Sequence, residues 1–138
     1  MLFGALMRDM SRVVLGIGAP SRNEVATVAR DGAQVELHPD AVAAMEHSRS
    51  VIDALAADPQ PHYGVSTGFG ALASKHIPFE RRAQLQRSLV RSHAARSGPE
   101  VEREVVRATL FLRLCTLETG RTGVRPVVAE TYVKLLNA

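Results

Sequence analysis

The sequence predicts a mainly α-helical fold with a small α/β part at its N-terminal side. Three observations predict it. Aromatic residues make up only 4% of the 138 residues and tryptophan is absent. A core must therefore be built from Ala, Val and Leu, and Ala and Leu are strong helix formers. Apolar residues recur at helical spacing in five segments, whereas two short stretches near the N-terminal side, Val13 to Ile17 and Gln34 to His38, read as strands. With 46% hydrophobic and 22% charged residues the composition is globular, which argues against wholesale disorder, and the length is close to that of one domain.

Taken in order, Val13 to Ile17 is an apolar run ended by Gly16, Gly18 and Pro20, a strand followed by a turn. Ser21-Arg22-Asn23-Glu24 has the Ser-x-x-Glu spacing of a capping box, in which hydroxyl and carboxylate each satisfy a backbone N–H at the helix start. Val25, Val28 and Ala29 continue that first helix to a stop at Gly32. Val35 and Leu37 alternate with polar residues as a second strand. Pro39 then opens a second helix, whose apolar face is Val42, Met45, Ile52 and Leu55, and Asp58-Pro59-Gln60-Pro61 breaks it. Residues 62–76 hold glycines at 64, 68 and 70 and read as an ordered loop. Pro78 opens a third helix with Leu85, Leu89 and Val90 inward and Arg81, Arg82, Gln86 and Arg87 outward, ending at Ser97-Gly98-Pro99.

The fourth helix starts near Glu100. It carries two apolar stripes, Val101, Val105, Leu112 and Cys115, and Val106, Leu110, Leu114 and Leu117, so most of its circumference is expected to be buried. Thr119 to Gly123 breaks the pattern, and Val124 to Leu136 is a fifth helix with Pro126 in its first turn. The fourth helix has more apolar face than five helices and two strands readily cover, so the sequence points to oligomerisation or to a missing remainder.

Several chemistries are disfavoured. No run approaches the roughly 18 to 20 apolar residues of a membrane span. The single cysteine, Cys115, cannot make an intrachain disulfide, which fits a reducing cytoplasm. His38, His47, His62, His76 and His93 show no metal-ligand spacing, so no metal is expected. The glycines of the loop are not followed by Gly-Lys-Ser/Thr, so it is not a phosphate-cradling Walker loop. The net charge of +3 and the arginines of the third helix permit an acidic partner. No aromatic interleaving or docking motif supports nucleic acid. Tyr63 stands at the mouth of the loop; a phenol acts as a base only when positive charge or donors favour its oxyanion. His93 lies late in the third helix, where packing or solvation is the ordinary fate of a histidine, and Cys115 sits on an apolar stripe.

A family resemblance adds what spacing does not. Tyr63-Gly64-Val65-Ser66-Thr67-Gly68-Phe69-Gly70 resembles the Tyr-Gly-x-x-Thr-Gly-Phe-Gly loop of the aromatic amino acid ammonia-lyases. Leu85-Gln86-Arg87-Ser88-Leu89-Val90-Arg91-Ser92-His93 resembles that family's Leu-Gln-x-x-Leu-x-x-Ser-His segment, and Gly120-Arg121-Thr122-Gly123-Val124-Arg125-Pro126 resembles its next turn. The run from Val13 to Ala138 is similar to the N-terminal quarter of the bacterial, actinobacterial-type histidine ammonia-lyases; residues 1–12 then read as extra N-terminal residues, with Met1 or Met10 as the start.

The resemblance implies the N-terminal portion of a fumarase/aspartase-like helical-bundle fold. It implies conversion of L-histidine to trans-urocanate and ammonia, in a cytoplasmic homotetramer. Tyr63 would be the catalytic base, His93 would bind substrate, and Gly64, Thr67, Gly68, Phe69 and Gly70 would form the active-site loop. The family's electrophile, 4-methylideneimidazole-5-one, forms from an internal Ala-Ser-Gly, and this sequence contains no such tripeptide. It also carries Arg96 where the family usually has glycine. The expected partners are an amino-acid substrate and the remainder of a lyase subunit, and the isolated chain is expected to be inactive. Two other readings stand beside this one: a non-catalytic lyase remnant or interaction module, and a small basic nucleic-acid-binding helical protein.

Overall fold

The structure, a computed structural model, describes residues 12–95 and 97–138. Arg96 and the two candidate initiators therefore lie outside the described residues, as do the other expected extra residues apart from Arg12. The described residues form two compact units, one of residues 12–49 with 101–138 and one of residues 50–95 with 97–100.

In the first unit, strand β1 (Arg12–Leu15) pairs in parallel with β2 (Gln34–Leu37), setting Val13 opposite Val35 and Leu15 opposite Leu37. A parallel pair needs a crossover, and helix α1 (Arg22–Ala26) supplies it, running on as a π-helical turn over Thr27–Asp31. The capping box is formed as expected. Glu24 N–H donates to Ser21 Oγ at 3.2 Å and Ser21 N–H to the Glu24 carboxylate at 2.7 Å. The Ser21 N–H first, and the Ser21 side chain second, hold the Glu24 carboxyl below its ordinary range. Helix α2 (Pro39–Ala57) starts on the expected proline and buries Ala41 and Met45.

Helices α4 (Arg103–Glu118) and α5 (Pro126–Asn137) complete this unit. Phe111, Leu114, Cys115, Ala129 and Leu136 meet Val13, Leu15, Val28, Val35 and Met45 in one core. Two polar side chains fasten its edges. Arg107 is buried and donates from Nε to the Val28 carbonyl (2.9 Å) and from Nη1 to the Leu136 carbonyl (2.7 Å). The first acceptor lies in the π-helical turn and the second in the last turn of α5, where a cation also suits the helix dipole. Asn137 holds the backbone of Val35 through both ends of its side-chain amide. The turn after α4 passes close to α2. Gly120 has φ +66°, and a Cβ there would lie 2.6 Å from the Ala44 carbonyl oxygen.

The fourth helix departs from expectation. Its second stripe is buried at Leu114 and Leu117, but Val105 (46% exposed) and Leu112 (47%) of the first stripe face outward. Glu118, charged and at the helix end, is instead fully buried.

The second unit contains the end of α2, the loop, and helix α3 (Phe79–His93). Here too the expected inward face is covered only in part: Leu85 and Leu89 are part-buried, Val90 is 68% exposed, and no residue of α3 is fully buried. Arg82, expected outward, reaches back instead. Its Nε donates to the Ile77 carbonyl (3.1 Å) and its Nη1 to the Ala56 carbonyl in the last turn of α2 (2.8 Å).

Candidate active-site loop

The loop between α2 and α3 is built around its own hydrogen bonds. Asp58 accepts the Gln60 N–H at 2.9 Å on one oxygen and meets His62 Nε2 at 2.8 Å with the other. These contacts, the Gln60 bond first, hold the Asp58 carboxyl below its usual range. The His62 carbonyl accepts from Val65 and Ser66 N–H, while His62 N–H donates to Ser66 Oγ at 2.8 Å. Gly64 N–H donates to Thr67 Oγ1 (3.3 Å), whose own hydroxyl donates to the Gly68 carbonyl (3.0 Å). Thr67 pairs antiparallel with His76, and Ile77 N–H donates to the Ser66 carbonyl at 2.8 Å. Ser66 and Thr67 are buried, as their backbone and hydroxyl partners permit.

Glycine is required at position 68 by space. A Cβ there would sit 2.6 Å from Leu72 Cβ and 3.1 Å from the Leu72 carbonyl oxygen. Leu72 belongs to a short 3-10 turn over Gly70–Leu72, which directly follows Phe69. That turn and the Thr67–His76 pairing close the loop on itself.

Tyr63 stands outside this scaffold. It is 65% exposed, and its ring meets Phe69 edge to face, with centroids 5.9 Å apart and planes at 84°. Such a contact orients an aromatic ring without covering its far edge. The structure thus brings Tyr63, Gly64, Thr67, Gly68 and Phe69 into one assembly, with Gly70 starting the adjoining turn. His93 is placed apart in sequence, on the exposed last turn of α3. Its Nδ1 lies 2.9 Å from the Leu89 carbonyl oxygen and 3.0 Å from Ser92 Oγ. A carbonyl oxygen only accepts, so this contact is a hydrogen bond in the tautomer with the proton on Nδ1, which leaves Nε2 as an acceptor.

Two positioning elements were not read from the sequence. Arg82 ties the loop's exit to α2 and lies with its guanidinium 5.7 Å from the centre of the Phe79 ring. Asp58 and His62 form the brace at the loop's entry, and their four-residue spacing across two prolines carried no helical signal. Among the described residues no cluster of three His, Cys, Asp or Glu side chains could hold a metal ion, and no helix is long and apolar enough to cross a membrane.

Comparison with known proteins gives a consistent set of relatives. The profile of the family described as aromatic amino acid lyase matches residues 21–138. The histidine ammonia-lyase of Streptomyces coelicolor is 60% identical over 129 residues, covering 94% of this chain and 25% of that protein. Among solved structures, a Trypanosoma cruzi histidine ammonia-lyase superposes with a TM-score of 0.81 at 35% identity, covering 91% of this chain and 25% of that one. An ergothionase from Treponema denticola superposes with a TM-score of 0.87 at 31% identity, again over 91% and 25%. The chain spans about a quarter of the length of these relatives.

Proposed function

Because the chain belongs to the aromatic amino acid lyase family, we propose that residues 13–138 are the N-terminal part of a histidine ammonia-lyase, which eliminates ammonia from L-histidine to give trans-urocanate. The observation that carries this reading is the exposed Tyr63 on a braced loop, its ring set against Phe69. The proton to be removed lies β to the amine and is poorly acidic, so the base must be held in place rather than left to diffuse. Tyr63 is that base. His93 binds substrate. With its Nδ1 proton directed at the Leu89 carbonyl, its Nε2 accepts a hydrogen bond from a substrate N–H. Gly64, Thr67, Gly68, Phe69 and Gly70 form the wall that carries the base.

The family's electrophile supplies the pull that turns the amino group into a leaving group. Its Ala-Ser-Gly precursor is absent from this sequence, so these residues do not fit the making of that group. The working site therefore includes the part of a lyase subunit that this chain does not span, within a cytoplasmic homo-oligomer of the tetrameric kind the family resemblance implies. Substrate and partners follow from that reading: an amino acid, lyase polypeptide, and neither membrane nor nucleic acid.

Urocanate absorbance tests it. The purified chain with L-histidine is expected to give no turnover. Co-expression with the remaining portion of the Streptomyces coelicolor enzyme is expected to give turnover, and Tyr63→Phe in that pair to lower it by about 100-fold or more. Turnover by the chain alone overturns the reading, and an unchanged rate in Tyr63→Phe removes Tyr63 from the role of base.

A further inference from the structure

Helix α4 carries a feature that the loop does not use. Val105, Ala108, Leu112, Cys115 and Thr119 recur at alternating steps of three and four residues, which sets them along one face of the helix. Two cavities follow each other on that face. One, of about 320 Å³, is lined by Val105 and Ala108 with Val25 and Ala29. The next, of about 610 Å³, is lined by Leu112, Cys115 and Thr119 with Ile17 and Pro20. Ile17 and Leu112 stay largely exposed. From Val105 to Thr119 the face runs about 21 Å at 1.5 Å per residue, the length of a four-turn helix. The charged residues lining the two cavities are Arg22, Arg30 and Arg121 against one carboxylate, Glu104, which Arg30 already pairs at 2.9 Å, while the capping Glu24 and the buried Glu118 act on Cys115 from outside the lining.

We propose that this face of α4 is a docking groove for an acidic-flanked amphipathic helix belonging to the part of a lyase subunit that this chain does not span. An apolar stripe walled on one side is the geometry that seats a helix by its own apolar face. The excess of guanidinium groups selects carboxylates on the flanks of that helix and disfavours a second copy of this chain, which would bring the same arginines to the contact. The length outside this chain supplies the occupant, since relatives with the same fold extend to about four times its span. The occupant's identity rests on the functional reading above, whereas the groove itself does not.

The test uses the purified 138-residue chain as probe. It is applied to overlapping 18-residue synthetic peptides covering the rest of the Streptomyces coelicolor enzyme, and to two designed peptides with leucines at the same spacing, flanked by Glu in one and Lys in the other. Capture of lyase peptides with this spacing and acidic flanks is expected. Leu112→Asp should weaken capture by tenfold or more; Leu112 is half-exposed, so the fold tolerates the change. Arg121→Glu, outside the apolar floor, should weaken it severalfold and reverse the preference between the designed peptides. Capture indifferent to both substitutions, or no capture at all, overturns the groove. Capture of the Glu-flanked design through Leu112 without any lyase peptide overturns the occupant and leaves the urocanate assay to decide the function separately. A concentration-dependent dimer in sedimentation that Leu112→Asp abolishes overturns the proposal in favour of a second copy.

Discussion

Asn137 pairs its side-chain amide with both backbone groups of Val35. The Val35 N–H donates to Oδ1 at 2.8 Å, and Nδ2 donates to the Val35 carbonyl at 2.9 Å. The amide thus takes the place of a neighbouring strand on β2, whose strand partner among the described residues is β1. Replacing it strands two backbone groups beside the core.

Asn137→Ala is therefore expected to cost about 1–3 kcal/mol, from two lost bonds and partly stranded groups at the half-buried site. Urea unfolding followed by circular dichroism measures it. A midpoint equal to that of the unaltered chain would show that water replaces the amide at no cost.

Glu118 sets a pH dependence. It is fully buried, and neither carboxylate oxygen has a hydrogen-bond partner among the described residues. Burial first, and the Glu24 carboxylate second, push its carboxyl up to about 7 from the ordinary 4.5. The folded chain then binds more protons than the unfolded chain between those values, so stability falls as pH rises from about 4.5 to about 7 and the loss levels off above. The full effect is of the order of 3 kcal/mol. Glu118→Gln should remove this slope and raise the melting temperature at pH 8; a lower melting temperature there would sink the argument. Glu24 works in the opposite direction, its lowered carboxyl adding stability that is lost as pH falls below about 4.5.

Cys115 should be slow to react. Burial first, then the Glu118 carboxylate, push its thiol up to about 12, and the thiolate is the reactive form. Iodoacetamide at pH 8 is expected to label the unfolded chain in urea far faster than the folded chain. Equal rates would mean that the thiol is open to solvent.

Gly68→Ala should disturb the loop without unfolding the first unit, because the added methyl would meet Leu72 at 2.6 Å. In the co-expressed pair, turnover is expected to fall at least tenfold while the melting of the first unit is unchanged. Full activity would show that Leu72 gives way freely.

The sequence was most legible where structure is set by neighbours along the chain. The Ser21–Glu24 capping box, the proline start of α2, the place of Pro126 in the first turn of α5, and the ordered loop all depend on residues a few positions apart. What it concealed depends on distant segments. Arg107 meets Val28 across 79 positions and Asn137 meets Val35 across 102, and no local pattern marks either pair. The two misjudged faces have one cause: periodicity shows that Val90, Val105 and Leu112 share stripes, but not whether anything in the chain covers them. In the candidate site, the glycines marked an ordered loop, whereas the roles proposed for Tyr63 and His93 come from the family resemblance alone. Arg82 was misread because a cation on a helix looks like a solvated one until the carbonyls it reaches are known.

Helix α3 has no buried residue, and in the second unit only Ser66, Thr67 and Gly68 among the described residues are withdrawn from solvent. That unit holds its shape through hydroxyls, carbonyls and one guanidinium rather than through an oily interior. Its amides should accordingly exchange with deuterium through openings far cheaper than those of α4 and α5, and a protease given the free chain should find α3 before it finds either. The same weakness leaves apolar surface uncovered: Phe79 and Val90 of α3 stand largely in solvent, and Leu85 and Leu89 are only part-buried.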